Sequence, residues 1–227
     1  MLLLSIIIPA RDEADNLKKL LPHLSAMSQT IEIIVCDGGS DDDTIAIARS
    51  LGARVVCEKG RGVQMNAGAQ IAGGAVLWFL HADSLPHPRS AAAIFRALQN
   101  PRVVGGNFRV RFDGDTLASR VFENIARVQR RFGIYYGDSG TWLRREVFEE
   151  LGGYREWPLF EDYDLARRLE EYCRAGERRT IRLWPAIRVS SRRFGSAPWK
   201  VLTKWLFLQM LFWAGVAPEK LARMYHD

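Results

Sequence analysis

Residue types suited to chemistry gather in a few short loops of this 227-residue sequence, most of them just after an apolar run. Pro9-Ala10-Arg11-Asp12-Glu13 sets a cation and two acids at the start of a helical segment. Backbone N–H groups and the helix dipole there hold an anion or accept a capping carboxylate, and ordinary capping alone also accounts for the loop. Asp37-Gly38-Gly39-Ser40-Asp41-Asp42-Asp43-Thr44 sets a carboxylate at a strand end, glycines for close backbone approach and acids at the next helix. It reads either as a nucleotide contact, Asp37 accepting from a ribose hydroxyl or base N–H, or as a turn capped by Ser40 or Asp41. Its order of acids and glycine is wrong for a calcium loop.

Gly60-Arg61-Gly62, with Asn66 on the following helix, has Met65 where a dinucleotide fingerprint needs its third glycine. The alternatives are a cationic loop for a diphosphate and a solvated turn. The run Val76-Leu77-Trp78-Phe79-Leu80 ends in His81-Ala82-Asp83. Strand alternation sends His81 and Asp83 to one side, where both can meet one metal ion or the diphosphate it holds, the alternative being a capping or otherwise satisfied polar pair.

These loops need elements to position them. The first half alternates β-rich runs (Leu3-Ile8, Ile31-Cys36, Arg54-Cys57, Ala75-Leu80) with helical patterns near Asp12-Met27, Asp42-Leu51 and Val63-Ala72. Such alternation is the mark of an α/β fold, a Rossmann-like, mostly parallel sheet flanked by helices. Ligands of such sheets sit outside the carboxyl ends of the strands, where these loops fall. After Pro86 the winding loosens: a helix near Ser90-Gln99, an extended Val103-Phe112, a helix at Leu117-Arg131, a turn at Gly137-Thr141, a helix from Glu161 to Ala175, a strand near Thr180-Val189 and a final amphipathic helix from Pro198. One domain is expected over 1–227, divided into a first half (1–100), a mixed second half (101–197) and the C-terminal helix (198–227).

Composition bounds the partners. With 48% hydrophobic and 26% charged residues the chain can bury a sizeable core. A net charge of +6 favours anionic partners. Nucleic acid is not among those expected, because Arg130-Arg131, Arg144-Arg145 and Arg178-Arg179 lie in separate segments and no recognition motif is present. Three cysteines without CxxC spacing indicate neither a disulfide framework nor a zinc site. The expected compartment is the reducing cytoplasm, with peripheral attachment to the inner face of its membrane as one alternative.

Taken together, Ser5-Ile6-Ile7-Ile8-Pro9-Ala10-Arg11-Asp12-Glu13, Asp37 to Thr44, Gly60-Arg61-Gly62 with Asn66, and Leu80-His81-Ala82-Asp83 resemble the family 2 glycosyltransferases of GT-A fold in order, spacing and strand-end placement. The resemblance implies a nucleotide-sugar donor, usually a UDP-sugar. Pro9, Ala10, Arg11, Glu13, Gly60, Arg61, Asn66 and Ala82 would flank the nucleotide, and Asp37 would recognise its base. Asp83 matches the last acid of the DxD motif, which implies a divalent cation, Mn2+ or Mg2+. His81 stands where the first aspartate is expected and suits manganese better than magnesium. In Trp157-Pro158-Leu159-Phe160-Glu161-Asp162, Asp162 matches the catalytic base of an inverting transfer, although helix capping would explain the acids equally.

Arg192 and Arg193 would face the leaving diphosphate, unless they lie in a solvated loop. The processive Gln-x-x-Arg-Trp motif is missing, which implies one sugar per encounter to an unidentified hydroxyl acceptor. Gly106 and Asp138 are weaker candidates for the donor sugar and the acceptor side, Gly106 reading equally as a β-bulge. The helix over 199–216, rich in tryptophan and lysine, is read as lying in a membrane interface, which suits a lipid-linked acceptor, or as packing on the core or in a homodimer. Two other functions compete: a nucleotide-sugar-binding module that has lost catalysis, and a nucleotidyltransferase. The latter should carry a Gly-rich basic triphosphate loop where Pro9 to Glu13 is acidic and glycine-free.

Overall fold

The computed structural model describes residues 3–27, 30–114, 116–190 and 197–226. Its first strand, β1 (Leu4–Ala10), is an unbroken apolar run because both of its faces are covered. Leu4, Ile6 and Ile8 point into one core and Ile7 into another. Parallel partners flank it, β2 (Ile31–Asp37) on one side and β4 (Val76–Phe79) on the other, with β3 (Arg54–Cys57) outside β2. Helices α1 (Ala14–Ser25), α2 (Thr44–Ser50) and α3 (Arg61–Ile71) connect them. The chain reverses its winding between β1 and β4, and the carboxyl ends there carry the Arg11 and His81 loops.

The remaining strands continue one eight-stranded sheet in the order β3-β2-β1-β4-β7-β6-β8-β5. Three-residue β7 (Trp142–Arg144) is antiparallel between β4 and β6 (Val103–Phe112). β8 (Arg179–Val189) runs parallel to β6, and β5 (Ser84–Pro86) closes the edge antiparallel to β8. Helices α4 (Ser90–Ala97), α5 (Leu117–Arg131), α6 (Arg145–Glu150) and α7 (Glu161–Ala175), and a 3-10 turn at Gly137–Ser139, complete the flanks.

The expected elements recur with small shifts at their ends. Sequence reading leaves out β5, β7 and α6, whose three to six residues form against distant partners. The tail differs more. It folds as two helices, α8 (Pro198–Trp213) and α9 (Pro218–His226), because Gly215 takes a left-handed backbone (φ 87°) between them. α8 is apolar on nearly all sides. It buries Leu208, packs Trp205 and Phe212 against Phe160 and Tyr163, and leaves Trp199, Phe207, Met210 and Trp213 about half exposed. No helix among the described residues is long and apolar enough to cross a membrane.

Candidate active site

The two acidic loops meet and bind each other. Asp12 takes a left-handed backbone (φ 52°), donates its N–H to Ser40 Oγ (2.9 Å), and accepts from Asp41 N at 2.8 Å. Glu13 N and Ala14 N, at the start of α1, donate to Thr44 Oγ1 and Asp42 Oδ2. Orphan donors of α1 are thus capped by side chains of the neighbouring loop. Asp37 is 1% exposed and accepts from Gly39 N, Ser40 N and Ser40 Oγ (2.5–3.0 Å). Its carboxylate shapes the loop.

Gln64, which the motif reading passes over, joins the strand ends from below. Its buried amide donates to Ala10 O and Cys36 O. Gly60 turns the chain into α3 with φ 94°. The Asn66 amide pairs in both directions with the Tyr154 backbone (2.8 and 2.9 Å), tying α3 to the segment before α7. Gly106 is in the sheet interior, where a Cβ would lie 1.9 Å from Ile181 O. The strand spacing excludes a side chain there, and a contact with a donor sugar does not explain the glycine.

Arg61, His81, Asp83, Asp138, Glu161 and Asp162 line one cavity of about 690 Å³, together with residues of α5, β6 and α8. Pro9, Ala10, Arg11, Glu13, Asp37, Gly60, Asn66, Ala82 and Gly106 do not line it. Arg192 and Arg193 lie outside the described residues. Asp162 is fixed by two backbone donors, Gly137 N to Oδ2 and Tyr163 N to Oδ1, both at 2.7 Å. Gly137 is wedged between it and His81: a Cβ there would stand 2.6 Å from His81 Nε2 and 3.1 Å from Asp162 Oδ2. The histidine and the carboxylate thus face one another across a single glycine.

Behind Asp162, Glu161 is buried and ion-paired with Arg61 Nε (3.0 Å). Burial and the adjacent Asp162 charge push the Glu161 carboxyl up to about 7, against the pull of Arg61. Burial and then the carboxylates also raise the Tyr154 hydroxyl well above its ordinary value. The Arg61–Glu161 pair joins residues a hundred positions apart, and no spacing rule foretells it. The tail closes the same region: Tyr136 stacks on Tyr163 and donates to Gln209 Oε1, and Trp213 Nε1 donates to Tyr163 Oη.

As a metal centre the site is open. Among the described residues no group of three His, Cys, Asp or Glu side chains is placed to hold a metal ion. His81 and Asp83 together offer one imidazole and one carboxylate on the cavity wall. That set would supply two ligands to a manganese-type cation and does not fit an all-protein cage.

The model of the family described as "Glycosyl transferase family 2" matches residues 5–152. Glycosyltransferase AglE of Haloferax volcanii is 26% identical over 165 residues, 65% of this chain and 54% of AglE. The chain thus spans about half the length of this curated relative. Among solved structures, the mannosyltransferase PcManGT of Pyrobaculum calidifontis, in complex with GDP-Man and Mn2+, superposes with a TM-score of 0.72 at 20% identity, covering 98% of this chain and 68% of that one. Glucosyl-3-phosphoglycerate synthase of Mycobacterium tuberculosis, in complex with Mn2+, UDP and glucosyl-3-phosphoglycerate, gives a TM-score of 0.60 at 19% identity over 83% of this chain and 70% of that one. The fold is accordingly the α/β GT-A fold, with its mixed sheet flanked by helices.

Proposed function

The chain belongs to glycosyl transferase family 2, and from that premise we propose that it moves a sugar from a nucleoside-diphosphate sugar to a hydroxyl acceptor, with inversion and one sugar per encounter. The observation that carries this reading is Asp162, anchored by Gly137 N and Tyr163 N beside His81 on the wall of a 690 Å³ cavity. Each anchored oxygen keeps a lone pair for an acceptor O–H. In the proposed step Asp162 takes that proton as the acceptor oxygen bonds to the anomeric carbon, while the bond from that carbon to the phosphate oxygen breaks and its electrons leave with the diphosphate.

The loops Pro9 to Glu13 and Asp37 to Thr44 are proposed to wall the donor through backbone and exposed side chains, with Asp37, Gln64 and Asn66 holding that wall in shape. Arg61, whose side chain is about one-third exposed while paired to Glu161, is proposed to face the diphosphate. His81 and Asp83 would hold a divalent cation. When bound, that ion neutralises charge on the departing diphosphate.

Of the structural neighbours one is bound to GDP-Man and another to UDP, so the donor base is to be read by experiment. A thermal-shift screen of UDP- and GDP-sugars with manganese tests the proposal. Stabilisation by at least one of them is expected. No stabilisation by any, with the metal present, overturns it.

The exposed apolar side of α8 supports a second element of the proposal, peripheral contact with a membrane at its cytoplasmic face and a lipid-linked acceptor. In liposome flotation the protein should rise with the vesicles. A wholly soluble protein contradicts that element and favours a homodimer through the same side.

A further inference from the structure

The arginines that are scattered in sequence converge in space. Asn107 and Arg109 alternate onto one face of β6, and Arg182 of β8 is in register with Asn107. Helix α5 brings Arg127, Arg130 and Arg131 to the same place, so that Arg130, Arg109, Arg127 and Arg131 are the charges that act most on Arg182. Partial burial and then these four charges lower the Arg182 guanidinium below its ordinary value.

One member of the group is structural. Arg130 donates to Asn107 Oδ1 and Thr180 Oγ1, both at 2.7 Å, pairs with Glu170 at 3.1 Å, and lies 4.7 Å from the Tyr135 ring centre. Arg109, Arg127 and Arg182 are different. They line the cavity that also contains Asp162, and among the described residues no carboxylate forms an ion pair with any of them. Arg109 lies 5.4 Å from the ring centre of Trp184, which is 78% exposed.

Three like charges that share a cavity with Glu123, Asp138 and Asp162, yet form no ion pair with a carboxylate among the described residues, repel each other and raise the local concentration of anions. Guanidinium forks match phosphate oxygens in pairs, which ammonium groups do not. Phe122, Ile134, Leu202 and Leu206 give the same cavity an apolar lining. We propose that Arg109, Arg127 and Arg182 form an oxyanion subsite for the acceptor, whose class is a phosphorylated hydroxyl compound with an apolar portion. This rests on the reading above that the acceptor enters the Asp162 cavity.

Phenyl phosphate, which combines a phosphate with an apolar ring, is the probe, and phenol is its uncharged control. Calorimetric titration of the whole chain is expected to show saturable binding of phenyl phosphate, weakening with added salt, and none of phenol at the same concentrations. The Arg127→Gln/Arg182→Gln double variant should bind phenyl phosphate at least about tenfold more weakly. Arg182→Gln alone should bind it more weakly while melting no lower than wild type, since it relieves repulsion, so that lost affinity is separated from lost folding. Absence of phenyl phosphate binding to wild type, or equal affinity in the double variant, overturns the proposal.

Phosphatidylglycerol vesicles form the second arm. If the variants lose vesicle binding while free phenyl phosphate binds neither protein, the arginines face lipid headgroups and the subsite is refuted. The nucleotide-sugar thermal shift is read on the same proteins. It should be equal in wild type and variants, and its absence from both counts against the transferase reading alone.

Discussion

The two halves of the cleft treat their charges in opposite ways. At the ends of β1 and β2, the proposed donor side, Asp37, Asp12 and Asp42 accept hydrogen bonds from backbone and hydroxyl groups of their own and neighbouring loops, so the acidic motifs are bound by the protein that bears them. On the other side Arg109, Arg127 and Arg182 share a cavity wall without an ion-paired carboxylate among the described residues. Satisfied charges build a rigid rim and are best seen through stability. Uncompensated charges cost stability and are best seen through binding.

Four substitutions test that contrast, in order of decreasing effect. Gly106→Ala forces a methyl against Ile181 O and should lower stability by about 3 kcal/mol or more, read as a shift in urea midpoint. A near-wild-type midpoint would show that β6 and β8 can separate. Asp37→Ala strips acceptors from Gly39 N, Ser40 N and Ser40 Oγ and should cost about 2 kcal/mol. If it lowers nucleotide-sugar affinity at unchanged stability, the carboxylate contacts the ligand and the donor half is not as self-contained as described.

Glu161→Gln gives a pH signature. The Glu161 carboxyl titrates near 7 in the folded chain and near the ordinary 4.5 unfolded, so the folded state holds the proton more tightly. Its stabilising contribution is complete below pH 4.5 and is lost as pH rises through 7. The melting temperature of Glu161→Gln relative to wild type should accordingly climb between pH 5 and pH 8. A pH-independent difference would place the titration elsewhere. Smallest is Arg182→Gln, expected to raise the melting temperature slightly at low salt, with the gain fading as salt screens the cluster. A fall would mean that an unrecognised partner compensates Arg182.

Much of the donor half was legible in the sequence, because its signals are local. The apolar runs ending at Ala10, Asp37, Cys57 and Phe79 each precede a polar loop and a helix, and the sheet follows that order. What the motifs did not reveal is which atoms of those loops face outward. Asp37 and Asn66 bear the residue types of a ligand contact and are committed to loop and backbone partners, a matter of rotamer and packing that spacing does not encode.

The acceptor half was legible mainly as long elements such as α5, α7 and β8. β7 and α6 form only where β4, β6 and α3 already exist; Arg145, for example, donates to the carbonyls of Ala69, Ala72 and Gly74 at the end of α3. Asp162 was singled out through the family resemblance, since acids at a helix start by themselves read as a cap. Its fixing by Gly137 and the pairing of Arg61 with Glu161 depend on contacts between residues 25 and 100 positions apart.

The most direct test of the account is turnover by Asp162→Asn. Release of nucleoside diphosphate from the preferred donor is to be measured beside donor binding, for wild type and variant. The account predicts donor affinity close to wild type and a rate lower by about 100-fold or more, the scale of a lost general base. An unchanged rate with intact binding would contradict it.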